Sequence, residues 1–274
     1  MQGLTARWQR HDWQSSPFAP GLRWVQAKVQ NGRTASGAGL SRYDAYMRCL
    51  GETAEIVALE ADTTEIVGSE GLAAGPDTAF ASYAALCERL ERWAVKEWWS
   101  GNSVALPVRG YAHLLTPLRN GASAPRETRL WLLPHFPLLG VVLCRSTDPQ
   151  GGQPILGFGA DLCAEAAAQS AIIEMALMEA NIAKKTTRMR AYYKRLTTAT
   201  TSLFPNGKPQ DITATRYPES QKLPTLTARL NAANIHFSVQ ALTTPQTGLA
   251  VCRAHIPGAP GFTLSGSPEN SPLL

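Results

Sequence analysis

Apolar and polar positions along the chain follow two periods, and the switches between them outline the elements. Leu22 to Val29 alternates residue by residue, as a strand with one buried face does. Tyr43 to Leu59 and Asp77 to Trp99 repeat their apolar positions at helical spacing, and Ser41 and Asp77 stand where an N-cap belongs. Leu130 to Pro134 and Leu138 to Arg145 predict strands, the second nearly all apolar and therefore buried. Gly157 to Asp161 leads into a third long helix predicted from about Leu162 to Arg195. Thr225 to Ala233 predicts a short helix, and Phe237 to Leu242 with Leu249 to His255 a closing pair of strands. Asn31 to Leu40 and Thr147 to Gln153 read as turn regions, and Ile66 to Gly75 as a short strand with a Gly-rich turn.

This order predicts an α+β fold in which repeated strand–Gly turn–long helix units pack their helices on an antiparallel or mixed sheet. One domain is expected over 21–262, after a polar N-terminal segment, 1–20, and before a polar tail, 263–274. Within it, 197–223 turns to Thr, Pro, Asn and Lys and predicts an exposed loop.

Composition narrows the function classes. Hydrophobic residues make up 44% and charged residues 17% of the 274, enough for a sizeable core. The net charge of +5 comes with a basic run at Lys184, Lys185, Arg188, Arg190, Lys194 and Arg195. That run reads as the solvated end of a helix, because no nucleic-acid-reading motif accompanies it. The five cysteines form no CxxC pair, so neither a disulfide framework nor a zinc site follows. No signal-like apolar core or bilayer-length apolar run is present in the sequence. The expected setting is cytoplasmic, with neither a membrane nor a nucleic acid as partner.

The chemistry sits on a repeat. Gly37 to Glu55, Gly71 to Ala94 and Gly157 to Asn181 each run from a Gly-rich turn into an Ala-rich helix that presents glutamate late. Gly39 to Glu52 and Gly75 to Glu88 span the same distance. Glu52/Glu55 and Glu88/Glu91 are i, i+3 pairs, which share a helix face and repel one another without a counter-ion. Mg²⁺ is the natural partner, since it takes carboxylate oxygens, water and phosphates. One such pair alone would read as solvated surface glutamates; the repetition amid apolar neighbours argues for a site. No Walker loop, kinase catalytic loop or GxSxG elbow is present in the sequence.

At these residues the chain resembles the YcaO family. LRWVQAKVQNGRTASGAGLSRYDAYMRCLGETAE, GLAAGPDTAFASYAALCERLERWAVKEWW, GFGADLCAEAAAQSAIIEMALMEA and VCRAHIPG are similar to that family's four blocks, in its order. The resemblance implies ATP and Mg²⁺ as cofactors, with Glu52, Glu55, Glu88 and Glu91 as metal-binding glutamates. It implies Arg92, Glu174, Arg145 and Arg253 as residues at the nucleotide. The implied activity is phosphorylation of a peptide backbone amide oxygen while a ribosomally made precursor peptide matures, by azoline-forming cyclodehydration or by thioamidation. The implied partners are the precursor peptide and a leader-peptide-binding or TfuA-like protein, with a homodimer left open.

Several positions depart from the resemblance. Ala38 stands where relatives carry the Lys of Gly-Lys-Gly, Ile56 where Arg follows the first Glu-x-x-Glu, Ser170 where block three has Arg, and Leu177 where it has Gln. The leading segment reads as short, and the tail lacks the Pro-x-Pro-x-Pro pattern of azoline-forming members. These losses keep a second expectation open, a non-catalytic scaffold of the same fold that binds a peptide or a catalytic partner.

Overall fold

The computed structural model describes residues 2–61, 69–180, 196, 203–212, 215–242, 248–260 and 272. In chain order the elements begin with α1 (Gln2–Thr5), β1 (Trp8–Gln14), β2 (Arg23–Val29), β3 (Thr34–Gly39), α2 (Arg42–Ala61), β4 (Leu72–Gly75) and α3 (Thr78–Trp99). Next come β5 (Leu106–Arg109), α4 (Ala112–Arg119), β6 (Glu127–Leu132), β7 (Gly140–Thr147), β8 (Ile155–Asp161) and α5 (Ala164–Glu179). The last are β9 (Gln210–Asp211), α6 (Glu219–Ala232), β10 (Ser238–Leu242) and β11 (Ala250–His255). The mixed α+β class agrees with the expectation. The chain divides into two compact units, and the division falls inside α3, between Leu90 and Glu91.

The first unit comprises Met1–Gln14, Arg23–Leu90 and Tyr217–Ala259. It holds two three-stranded sheets, β1-β2-β3 and β10-β11-β4, each wholly antiparallel. Helix α2 serves both. Ala45, Cys49 and Ile56 lie on one side of it and pack with Val25, Ala27, Val29 and Ala35. Leu50, Ala54 and Ala58 lie on another side and pack with Leu4, Leu72 and Val251. Two apolar stripes on one helix explain why its periodicity is strong, and why few positions remain on it for polar side chains. Ser41 caps it as expected, its Oγ accepting the Asp44 N–H at 3.0 Å, and Asp77 does the same for α3 through the Phe80 N–H at 2.8 Å.

The second unit comprises Ser15–Leu22, Glu91–Arg216 and Pro260–Leu274. Its sheet has the order β8-β7-β6-β5-β9, antiparallel except for the β5–β9 pair. Helix α5 packs on β8 and β7. Gly159 lets it come close: a Cβ there would stand 2.3 Å from the Ala167 carbonyl oxygen. Across the sheet, Leu203 to Asn206 runs as a strap. The Trp98 and Trp131 indole N–H groups donate to the Leu203 and Pro205 carbonyls at 2.9 and 3.1 Å. The Phe204 ring sits edge-on to both indoles, at 5.6 and 5.4 Å between centroids.

Three local expectations differ from what the structure places there. The polar segment 1–20 contains β1, an edge strand paired with β2. The turn region Asn31 to Leu40 contains β3. The predicted loop 197–223 carries the strap and the start of α6. Of the third long helix, Ala164–Glu179 is seen as α5, and 181–195 with its basic run lies outside the described residues. The tail 263–274, Pro272 apart, also lies outside them.

Candidate functional site

The repeat predicted from the sequence is a physical one. β3 ends against α2 so closely that a Cβ on Gly37 would meet the Ala45 carbonyl oxygen at 1.9 Å. From that strand the Ser36 N–H donates to Glu52 Oε2 at 2.5 Å, across sixteen residues. β8 and α5 repeat the arrangement: the Phe158 N–H donates to Glu174 Oε2 at 2.6 Å, again across sixteen residues. Glu55, one turn beyond Glu52, turns to the other sheet and accepts the Ala74 N–H of β4 at 2.9 Å. A carboxylate on the helix thus satisfies a backbone donor that its strand's neighbour does not.

In the first unit Glu52, Glu55 and Glu88 are partly buried. Burial pushes the Glu52 carboxyl up to about 7, against the pull of the Ser36 N–H. Burial pushes Glu55 further, to about 8, with the negative charges of Glu88 and then Glu52 adding to it and the Ala74 N–H opposing. Glu55, out of bulk water and in the field of Glu88 and Glu52, is the kind of group that a hard cation relieves. Among the described residues no three His, Cys, Asp or Glu side chains converge tightly enough to hold an ion by themselves. Arg253, on the central strand β11 opposite Leu72 and Gln240, is buried.

In the second unit Glu91 is buried, and Arg92 Nη1 stands 3.0 Å from its Oε1. Burial raises the Glu174 carboxyl, opposed first by the positive charge of Arg92 and then by the Phe158 N–H. Arg92 therefore lies in the field of two carboxylates. Arg145, on β7, has its guanidinium over the Phe204 ring at 4.6 Å, and Arg129 stands opposite it in register.

One charged cluster was not anticipated. Glu179, fully buried at the end of α5, accepts Arg119 at 2.6 and 2.9 Å and Arg126 at 2.9 Å, and the Ser146 hydroxyl also donates to it. The available signal was its position on the apolar stripe of Ile172, Met175 and Ala176, where an acid requires cations. On the surface, His113 meets Glu165 at 2.7 Å.

Strand–Gly–helix repeats that carry glutamate at one fixed register, on antiparallel sheets, define the class of protein. The family model described as "YcaO cyclodehydratase, ATP-ad Mg2+-binding" matches residues 57–260, and the chain belongs to the YcaO family. ATP and Mg²⁺ are the cofactors by which that family is described. Solved structures share the fold. A heterocyclase in complex with substrate and cofactor has a TM-score of 0.77 and 15% identity, over 93% of this chain and 50% of that one. YcaO from Methanopyrus kandleri, bound with AMPPCP and Mg²⁺, has a TM-score of 0.72 and 17% identity, over 93% of this chain and 87% of that one. The E. coli microcin synthetase McbBCD complex has a TM-score of 0.57 and 10% identity, over 90% of this chain and 87% of the matched one. The chain thus spans half the length of the heterocyclase. No curated protein matches it. Among the described residues no helix is long and apolar enough to cross a membrane.

Proposed function

We propose that this chain activates a peptide backbone amide by ATP- and Mg²⁺-dependent O-phosphorylation, in azoline-forming cyclodehydration or thioamidation of a ribosomally made peptide, together with a partner protein. The observation that carries the reading is the acidic pair Glu52 and Glu55, tied to strand N–H groups and raised by burial, with the charge of Glu88 adding to the rise at Glu55. In this reading Glu52, Glu55, Glu88 and Glu91 supply oxygens to Mg²⁺. Arg92 faces phosphate oxygens and offsets their charge, and Glu174 orients Arg92. Bound Mg-ATP supplies the phosphoryl group that turns an amide oxygen, a poor leaving group, into phosphate. The chain's own part is to align donor and acceptor and to stabilise charge, which is most of the catalysis that phosphoryl transfer needs.

The test is Mg²⁺-dependent ATP hydrolysis stimulated by the precursor peptide. Glu88→Gln and Glu91→Gln should each abolish it, and unchanged turnover in both would overturn the assignment.

A second reading, a non-catalytic scaffold, draws on Ala38 and Ile56. Both lie in the core, at 3% and 7% exposure, where the resemblance calls for cations. Micromolar binding of Mg-ATP to the isolated chain, measured by calorimetry, excludes it.

A further inference from the structure

On the sheet of the second unit, β6 and β7 set two arginines directly opposite each other, Arg129 against Arg145. Like charges at facing positions of an antiparallel pair destabilise it, so folds ordinarily place a carboxylate nearby. Here none is found: among the described residues neither guanidinium makes an ion pair with Asp or Glu. The polar side-chain partner of the pair is neutral, the Asn206 amide oxygen, which accepts from Arg129 Nη1 at 3.2 Å. Arg145 Nε is buried without a hydrogen-bond acceptor among the described residues.

The surroundings hold the two cations in place. The Arg145 guanidinium carbon lies over the Phe204 ring, 4.6 Å from its centroid. Phe204 is itself fixed by Trp98 and Trp131 and by the two indole bonds to the strap. Stacking on an aromatic face restrains a guanidinium while leaving its N–H edge free to donate. Arg129 is exposed, so the pair opens to solvent. Burial and the charge of Arg129 both lower the Arg145 pKa, in keeping with a cation that lacks a counter-charge.

We propose that Arg129 and Arg145, with Asn206 at the edge, form a binding site for an oxyanion, a carboxylate or a phosphate group. Two forked donors side by side match such a group, which accepts along two edges at once. The described residues supply the two cations and no carboxylate to meet them. The site lies entirely within the second unit and does not depend on the nucleotide reading.

The experiment follows the arginine Nε–H signals of the full chain by ¹⁵N NMR at constant ionic strength. The probes are inorganic phosphate, an end-blocked Ala-Glu-Ala peptide, and the matching Ala-Gln-Ala peptide. The Arg145 signal, identified by its loss in Arg145→Lys, should shift saturably with phosphate or the Glu peptide and not with the Gln peptide. Saturation by the Glu peptide alone assigns the anion to a peptide side chain, and saturation by phosphate alone to a phosphoryl group. Displacement of phosphate by Mg-ATP assigns it to the nucleotide. Arg129→Ala, followed at the Arg145 signal, and Arg145→Lys, followed at the Arg129 signal, should each weaken binding at least tenfold, while Arg10→Ala leaves it unchanged. No saturable shift with either anion, or an affinity in both variants equal to that of the parent chain, overturns the site. Should the chain fail to bind Mg-ATP, the phosphate and peptide arms still stand, so the two readings fail separately.

Discussion

Glu52 on α2 accepts the backbone N–H of Ser36 at 2.5 Å, and this bond fastens a strand end to the helix that carries the acidic set. The carboxylate therefore has a structural task as well as a place in the proposed metal site. Glu52→Gln keeps an oxygen acceptor and removes the charge; Glu52→Ala leaves the donor buried and unpaired, at a cost of about 1–3 kcal/mol. Urea denaturation should show Ala clearly less stable than Gln, while both lose Mg²⁺ binding. Equal stability of the two would mean that water replaces the bond.

Mg²⁺ binding should strengthen with pH. Glu52 and Glu55, pushed up to about 7 and about 8 mainly by burial, are largely protonated in the metal-free chain below those values. A raised carboxyl contributes stability that is fully present below its ordinary value and is lost as pH rises through the folded value. Metal-free chain should accordingly lose stability between about pH 5 and 8 from this source, and Mg²⁺, which takes the ionised form, should restore it. Calorimetry at pH 6 and pH 8 in buffers of different ionisation enthalpy would detect the released protons; equal affinity at both would refute the coupling.

Removing the Glu179 carboxylate should be among the most damaging single changes. Arg126 is nearly as buried as its acid, with side-chain exposures of 2% and 0%. Truncating one partner of a buried ion cluster costs about 3–5 kcal/mol, because the remaining charges stay desolvated. Glu179→Ala should lower the denaturation midpoint accordingly, and Glu179→Ala/Arg126→Met should recover part of the loss. A single variant within about 1 kcal/mol of the parent, the size of an exposed pair, would show that the cluster is hydrated.

Gly37→Ala and Gly159→Ala test the close approach of strand and helix. A methyl group at Gly37 meets the Ala45 carbonyl at 1.9 Å, and one at Gly159 meets the Ala167 carbonyl at 2.3 Å, both rigid backbone. Overpacking of this kind costs about 1–3 kcal/mol or more. Both variants should be destabilised in thermal melts, whereas Gly101→Ala, with open space around it, should lose only what its positive backbone angle imposes.

The long helices and the acidic repeat were legible because their signals are local. Caps at Ser41 and Asp77, an apolar period, and glutamates at fixed spacing are all written within a few residues. β1 escaped notice because an edge strand exposed on most positions shows no burial alternation. β3, Thr-Ala-Ser-Gly-Ala-Gly, escaped because close packing against α2 selects small residues over β-formers. The strap escaped because Phe204 is buried by Trp98 and Trp131, both distant in sequence. Within the site, the acids were named from sequence. That Glu55 lies in the field of Glu52 and Glu88, and Glu91 and Glu174 in that of Arg92, depends on how helix packs against strand, and no spacing encodes that.

The sixteen-residue tie from strand N–H to helix carboxylate, seen at Ser36–Glu52 and again at Phe158–Glu174, makes length itself a fixed quantity of these two repeats. One residue inserted between them would rotate the glutamate by about 100° around its helix, carrying it away from its donor and into the apolar stripe. Insertions should be lethal to the repeat there and harmless in the hairpin turn between β7 and β8, so the chain has room to vary in length only where no helix is counting.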